Sequence, residues 1–397
     1  MDRHFRRHAA GPCAPRQQNS WRLRGVDSLG RSEPGVILRM SIHSRTRPVP
    51  LLAALLVAAG VAHGQGNELV VTTTVPGGPG SLAAAINQAN ESPGATITFA
   101  IPEADEGYDD ATGLWTLTVA EALTPIIAEG ITIDGGGRVA LVAAAPSVEH
   151  GIVLVSPRNV IRGLCLGGFQ TGLALYGGGA IGNRVEDCLI GTDPAGQQAV
   201  PCDTGLALLE GASDNVVTGC VISGNRQLGV YIAGRETTGN AILDCRIGCD
   251  AQGTRRLPNA MGIMVTRSPE NRVGAPGQGN VISGNDGIGI LLVGKWTEGN
   301  RIEGNHIGVD AAGTGLLYNT IGIVLKSLAN GNLVGGSAEG EGNLITGNLE
   351  IGAYVEAADG NIFRGNLIGT DVTGTHAVSE GELIQGNGIE FNTVAKD

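Results

Sequence analysis

The phrase Gly-Asn … Ile-Gly-x-Asp-x-x-Gly occurs four times in the chain, and it limits the fold more tightly than any other feature. It runs from Gly182-Asn183 to Asp193 and Gly196, and from Gly239-Asn240 to Asp250 and Gly253. It returns from Gly299-Asn300 to Asp310 and Gly313, and from Gly360-Asn361 to Asp371 and Gly374. The opening glycines lie 57, 60 and 61 residues apart. Each long unit divides again. A glycine followed by alternating aliphatics begins at Gly151, Gly172, Gly205, Gly229, Gly262, Gly289, Gly322, Gly352 and Gly388. A second phrase, Asn-x-(Val/Ile), begins at Asn159, Asn183, Asn215, Asn240, Asn332 and Asn361, with near matches at Asn271 and Asn300.

A half-unit of roughly 21–36 residues carrying several short strands is the scale of one turn of a β-solenoid. Coils stacked in this way sit about 4.8 Å apart. A βαβ fold would need helical periodicity between the strands, and none is found after Gly151; a leucine-rich repeat would need a leucine spacing that is missing. With 65 glycines and 42% hydrophobic residues, the chain turns often and still has enough apolar side chains for a core. The expected fold is all-β: a right-handed parallel β-helix of about nine or more coils with a short N-terminal capping helix. The helix is read from Ser81 to Asn90, with Ser81 as N-cap and Leu82, Ala85, Ile86 and Ala89 on one face. Residues 65–137 form the cap and first coils, and residues 138–397 the repeated body. The abrupt end at Lys396-Asp397 suggests a truncated gene or an interface there.

The start of the chain has a different character. Arg45 and Arg47 precede an apolar run, Pro50 to Ala62, which ends in Ala62-His63-Gly64. That is the pattern of a secretory signal peptide over residues 40–64, and it is too short for a membrane span. Met40 sits where such a peptide would begin, making residues 1–39 an extension upstream of the true start. Removing residues 1–64 removes 10 basic and 3 acidic residues, leaving 16 basic against 35 acidic, a net of −19 against −12 for the whole chain. The signal-peptide pattern implies a secreted or cell-surface protein without a transmembrane anchor, and so acidic a mature chain is expected to have no nucleic-acid partner.

The stretch Gly80-Ser81-Leu82 … Ala85-Ile86 … Ala89-Asn90 … Ile97-Thr98-Phe99 resembles the N-terminal segment of bacterial secreted right-handed β-helix proteins with a "CSLREA"-type leader. The Gly-Asn … Ile-Gly-x-Asp-x-x-Gly repeats resemble the body of that group, and the likeness covers about residues 67–397. No Cys precedes Ser81, and Ala83-Ala84 stand where the leader has Arg-Glu. The resemblance implies a pectate-lyase-like fold and export. Such proteins are often described as pectate lyases or surface proteins, so it implies a reaction far less than a fold.

In a solenoid, function is sought in columns of equivalent positions. The first column, from Ile152 through Leu173, Leu206, Val230, Ile263, Ile290, Ile323 and Ala353 to Ile389, is expected to face inward with its partners two residues on. Between them Val153, Ala174, Ala207, Tyr231, Met264, Leu291, Val324, Tyr354 and Glu390 face outward, an apolar stripe. It admits three covers: the long segments after each Ile-Gly-x-Asp, a partner chain through self-association, or a ligand. The third column is Cys165, Cys188, Cys220 and Cys245, continued by Asn280, Asn305, Asn343 and Asn366. Here buried thiols and an asparagine ladder are expected, while neighbouring rungs are also close enough for disulfides, and Cys202 with Cys249 is a further pairing.

Five residues after each Cys or Asn come Asp193, Asn225, Asp250, Asn285, Asp310, Asn348 and Asp371 in alternation. Two rungs would place these aspartates about 9–10 Å apart, near the carboxylate separation of inverting glycosidases. Asx residues near glycine are equally turn formers. Asp193, Asp250, Asp310 and Asp371 are therefore the candidate ligand or calcium contacts, with calcium the cation an acidic groove would take. After residue 64 only His150, His306 and His376 remain, on different phrases, which gives little support to a histidine base. With no interruption of the repeat in view, the favoured function is a non-catalytic exported scaffold binding glycan or another surface component. A polysaccharide lyase or glycoside hydrolase is the alternative.

Overall fold

The computed structural model describes residues 67–378 and 388–392. The signal-peptide pattern at 40–64, the extension 1–39 and Lys396-Asp397 lie outside them. Within them the chain is a right-handed parallel β-helix. A 20-stranded sheet contains two strips that follow each other in every coil of the body, and a nine-stranded sheet, running from His150–Leu154 to Ile389–Asn392, forms the remaining face. One coil shows the pattern. Arg184–Glu186 lies in the first strip, Leu189–Ile190 in the second, and Thr204–Leu209 in the nine-stranded sheet. Among the described residues the only antiparallel strand pair, Tyr108–Asp109 with Leu114–Val119, belongs to the N-terminal region.

The first corner of each coil needs a left-handed residue. Asp187 and Asp244 (φ 51° and 50°) and Gly219, Gly304 and Gly365 (φ 68°, 70° and 66°) make the bend and turn the next side chain inward. The helix Leu82–Ala89 closes the first coils, with Ser81 Oγ accepting from Ala84 N at 3.2 Å and Leu82, Ala85, Ile86 and Ala89 buried. This shields a sheet end that would otherwise be open.

The expected inward column is present in register: Ile152 pairs with Leu173, then Leu206, Val230, Ile263, Ile290, Ile323, Ala353 and Ile389. Nearly every member is fully buried. Each full aliphatic rung is worth about 1.5–3 kcal/mol of burial per side chain.

The corners are held by side chains as well as by packing. The asparagine phrase forms a ladder along Asn159, Asn183, Asn215, Asn240, Asn271, Asn300, Asn332 and Asn361. Each Oδ1 accepts the backbone N–H of the preceding asparagine at 2.8–3.1 Å. A corner N–H that turns inward cannot reach the strand ladder, so the next coil supplies its acceptor. The Cys/Asn column does the same, with Cys245 N to Asn280 Oδ1 at 2.8 Å and Asn280 N to Asn305 Oδ1 at 3.0 Å. Cysteine imitates asparagine there: Cys188 N reaches Cys220 Sγ at 3.4 Å, while the Cys220 thiol faces the Val185 carbonyl at 3.7 Å.

Three expectations are corrected. Asp and Asn do not alternate in one column. The third ladder runs Cys202, Asn225, Asn259, Asn285, Asn319 and Asn348, starting with Cys202 N to Asn225 Oδ1 at 3.3 Å. In coils with a long loop, the ladder residue follows the loop instead of preceding it. Cys202 therefore sits at a corner rather than in a loop. Cys249 opens the long loop two coils further on, so the two do not meet. Nor do the long loops cover the outer stripe of the nine-stranded sheet. They lie on the outward side of the second strip: a Cβ on Gly313 would come 3.0 Å from Leu344 and 3.2 Å from His306, and one on Gly374 would come 3.2 Å from Leu367. The outer stripe itself is buried at Val153, Ala174, Ala207, Leu291 and Val324 and half-buried at Tyr231, Met264 and Tyr354.

Candidate functional site

The repeat is interrupted where a short corner is replaced by an inserted loop. From Asn240 to Cys245 and from Asn300 to Asn305 the corner takes five residues, but Asn271 to Asn280 takes nine and Asn332 to Asn343 eleven. The extra residues form loops at 274–279 and 336–342, in alternate coils. Between them lies Gly304, whose Cβ would come 2.8 Å from the Ala275 carbonyl and 3.0 Å from the Gly340 carbonyl. A residue with no side chain thus lets the two loops close into one wall.

That wall and the ridge of long loops border a groove of about 1100 Å³. Its floor is the outward column Val281, His306, Leu344 and Leu367, on successive coils. Ala311 and Val372 stand on the ridge side, and Asp244 and Arg364 lie toward opposite ends of the stack. The first three loops of the ridge bond in series, Ala251 N to Gly196 O and Ala311 N to Gly253 O, both 2.9 Å. Val309, Leu316, Leu344 and Val378 pack together beneath it.

The inserted wall is braced by charge. Glu341 accepts Ala338 N at 2.8 Å and faces Arg301 at 3.8 Å, while its carbonyl accepts Gly304 N at 3.1 Å. Arg301 in turn donates to Glu303 Oε1, and Arg272 to Glu303 Oε2, each at 2.7 Å. Glu303 is fully buried, so removing both arginines would strand a carboxylate at a cost of several kcal/mol. Arg364, by contrast, is exposed and has no ion pair among the described residues.

His306 is half-buried on the floor, with Nδ1 3.3 Å from the Asp310 carbonyl oxygen. A carbonyl accepts only, so the neutral ring carries its proton on Nδ1 and leaves the Nε2 lone pair free. The other two histidines lie elsewhere. Burial pushes His150 below the ordinary imidazole range, and its Nδ1 has no partner. His376 is exposed beside Asp371 at 3.5 Å.

The four candidate aspartates are not brought together. Each caps its own ridge loop: Asp193 Oδ1 accepts Gln197 N and Gln198 N, and Asp310 Oδ1 accepts Thr314 N and Gly315 N. Asp250 Oδ1 accepts Thr254 N at 2.8 Å, and Arg255 Nε donates to Oδ2 at 2.9 Å. Burial alone would raise its carboxyl, but the Thr254 N–H and the Arg255 guanidinium outweigh it and hold it low. The Thr373 hydroxyl, at 2.7 Å, lowers Asp371 in the same way. Among the described residues, no three His, Cys, Asp or Glu side chains converge as a metal cage. Cys165, Cys188, Cys202, Cys220, Cys245 and Cys249 are all buried free thiols. Burial pushes Cys165 and Cys249 up to about 12 and Cys202 up to about 11.

His306, Arg364 and the two insertions are thus the features that column reasoning missed. The signal was the lengthened spacing after Asn271 and Asn332, which breaks a repeat read as uninterrupted.

Fold and groove together define a right-handed parallel β-helix with a lateral cleft. No protein-family model matches the sequence, and no curated protein matches it. Among solved structures it is similar to the A-module of Azotobacter vinelandii mannuronan C-5 epimerase AlgE6. The TM-score is 0.52 at 16% identity, covering 74% of this chain and 73% of that one. The periplasmic alginate epimerase AlgG (TM-score 0.35, 16% identity, 68% and 61% covered) also matches. So does the enzymatically active domain of tailspike protein 2 from bacteriophage CBA120 (TM-score 0.38, 12% identity, 82% and 46% covered). Of these three, only the first superposes closely enough to bear on the fold, and at that identity it bears on nothing finer.

Proposed function

We propose that the chain is an exported carbohydrate-binding β-helix whose ligand lies in the groove between the inserted wall and the loop ridge. One observation carries this reading: the repeat is interrupted at 274–279 and 336–342, and the interruption builds a cleft of ligand size instead of a core feature. Export rests on the Arg45/Arg47, Pro50–Ala62 and Ala62-His63-Gly64 pattern. Among the described residues no helix is long and apolar enough to cross a membrane. Similarity to a polysaccharide-modifying enzyme supports a carbohydrate ligand by analogy of fold. The four aspartates spend their oxygens on their own loops, so calcium enters this reading only as an ion that an acidic glycan would bring with it.

The preferred form of the reading is non-catalytic, because among the described residues no carboxylate pairs with His306. Affinity electrophoresis of the full chain through gels containing neutral and acidic polysaccharides tests it. Retardation by at least one polysaccharide, lost in Ala338→Trp, is expected. Migration unaffected by every polysaccharide would refute the reading.

The free Nε2 of His306 favours one alternative, a polysaccharide lyase or glycosidase in which His306 accepts a proton. Release of reducing ends or unsaturated products by the wild type, abolished in His306→Gln with binding retained, would establish it. Self-association through the outer stripe of the nine-stranded sheet is a separate proposal, and a monomeric mass by light scattering would remove it.

A further inference from the structure

We infer that the groove takes a neutral, extended glycan lying along the stacking axis of the coils, and that it selects against polyuronates. The inference rests on the carbohydrate reading above.

Length comes first. The groove runs from the coil of Asp244 to the coil of Arg364, crossing the corners at Cys245, Asn280, Asn305, Asn343 and Asn366. Those are four intervals of about 4.8 Å each, and a β-linked pyranose chain advances by a similar distance per residue, so about four sugars fit end to end. The floor of Val281 and Leu367 offers apolar surface to C–H faces, and His306 and Ser337 add polar side chains to the lining. No Trp, Tyr or Phe lines the groove, so binding depends on this fit along the axis rather than on a stacking platform.

Charge decides the class. The charged side chains lining the groove are Asp244, Glu339 and Arg364. Arg246, beside Val281 in the floor column at the Asp244 end, is a second arginine without an ion pair among the described residues. Two cations thus face two anions, and on the wall Glu341 shares Arg301 with the buried Glu303, so the groove carries no excess positive charge among the described residues. A polyuronate would bring about four carboxylates to a site whose two arginines are already matched by two carboxylates, in a chain whose formal charge is −12. At low salt, about 0.01 M, the Debye length of about 30 Å exceeds the length of the groove, so the repulsion acts along all of it and fades as salt is added.

The test is calorimetric titration of the full chain at low salt with EDTA, using β-1,4-linked neutral hexasaccharides (gluco- and manno-) and matched mannuronate and galacturonate hexamers. A neutral hexamer is expected to bind at least about tenfold more tightly than either uronate, with the gap narrowing at high salt. Ala338→Trp should abolish the neutral binding, and the double variant Asp244→Lys/Glu339→Lys should raise uronate affinity. Uronate binding as tight as neutral binding, and sensitive to Ala338→Trp, would overturn the selectivity and leave the carbohydrate reading standing. Binding of neither class, or binding indifferent to Ala338→Trp, would overturn both.

Discussion

The side-chain amide of Asn280 donates to Asn305 Oδ1 at 2.8 Å, and the backbone N–H of Asn280 donates to the same oxygen at 3.0 Å. Asn305 Nδ2 meanwhile donates to the Val273 and Glu303 carbonyls at 2.9 and 3.0 Å. One side chain thus satisfies several buried groups from two coils, directly beneath the groove.

Asn305→Ala therefore removes the acceptor of the Asn280 backbone N–H and the side-chain donor to the Glu303 carbonyl, and takes one of two partners from Asn280 Nδ2 and from the Val273 carbonyl; it is expected to cost about 2–4 kcal/mol. Cys220→Ala, at the equivalent corner, removes only weak thiol contacts and a small volume, about 1–2 kcal/mol. Urea unfolding of both variants measures the difference. Equal losses would show that the ladder hydrogen bonds contribute little beyond packing.

Gly304 is the hinge between the inserted loops. Gly304→Val places a branched side chain at φ 70°, between the Ala275 and Gly340 carbonyls. A loss of about 2 kcal/mol or more is expected from backbone strain and the clash, with weakened glycan binding as the wall splays. The Tm together with the dissociation constant checks this. Unchanged affinity in a folded Gly304→Val protein would separate the wall from the binding site.

The stacked cysteines are expected to be inert in the native state. Cys188, Cys220 and Cys245 are fully buried and act as ladder thiols, and their neighbouring hydrogen bonds and burial hold Cys188 and Cys220 well above the ordinary range. A thiol reagent should find Cys165, Cys188, Cys202, Cys220, Cys245 and Cys249 unreactive until denaturant is added, then reactive without reduction. Fewer than six of these thiols reacting after non-reducing denaturation would show that rungs pair as disulfides.

Asp105 ties the N-terminal segment to the cap. Its carboxylate accepts from the hydroxyls of Thr74 and Thr73 and from Gly107 N. The Thr74 hydroxyl contributes most, against the opposing effect of burial, and the group falls from 3.8 to about 2. A depressed carboxyl stabilises the fold above its unfolded value, so its contribution is present above about pH 4 and is lost as pH falls toward 2. Unfolding midpoints of wild type and Asp105→Asn should differ at pH 5 and converge near pH 2. A gap that persists at pH 2 would contradict the assignment.

Much of the fold was legible because a solenoid repeats its chemistry. Inward positions from Ile152 to Ile389 could be aligned by counting, and Asn280, Asn305, Asn343 and Asn366 stack as a ladder for the same reason. Counting failed where loop length changes. Asn259 and Asn319 occupy the rung of Asn225 but follow nine extra residues, so a fixed offset from Cys245 or Asn305 landed on Asp250 or Asp310 instead. It also passed over the groove, since the long spacings after Asn271 and Asn332 read as loose copies of a phrase. A wall needs three-dimensional neighbours, and Gly304 reveals its part only when the loops on either side of it are in place.

The most direct test of the central claim is hydrogen–deuterium exchange on the full chain, with and without a saturating polysaccharide that binds it. The groove reading predicts slowed exchange at 274–279, 304–306 and 336–342, with the nine-stranded sheet unchanged. Protection confined to the outer stripe at Tyr231, Met264 and Tyr354, or absent from the inserted loops, would place the ligand elsewhere and contradict it.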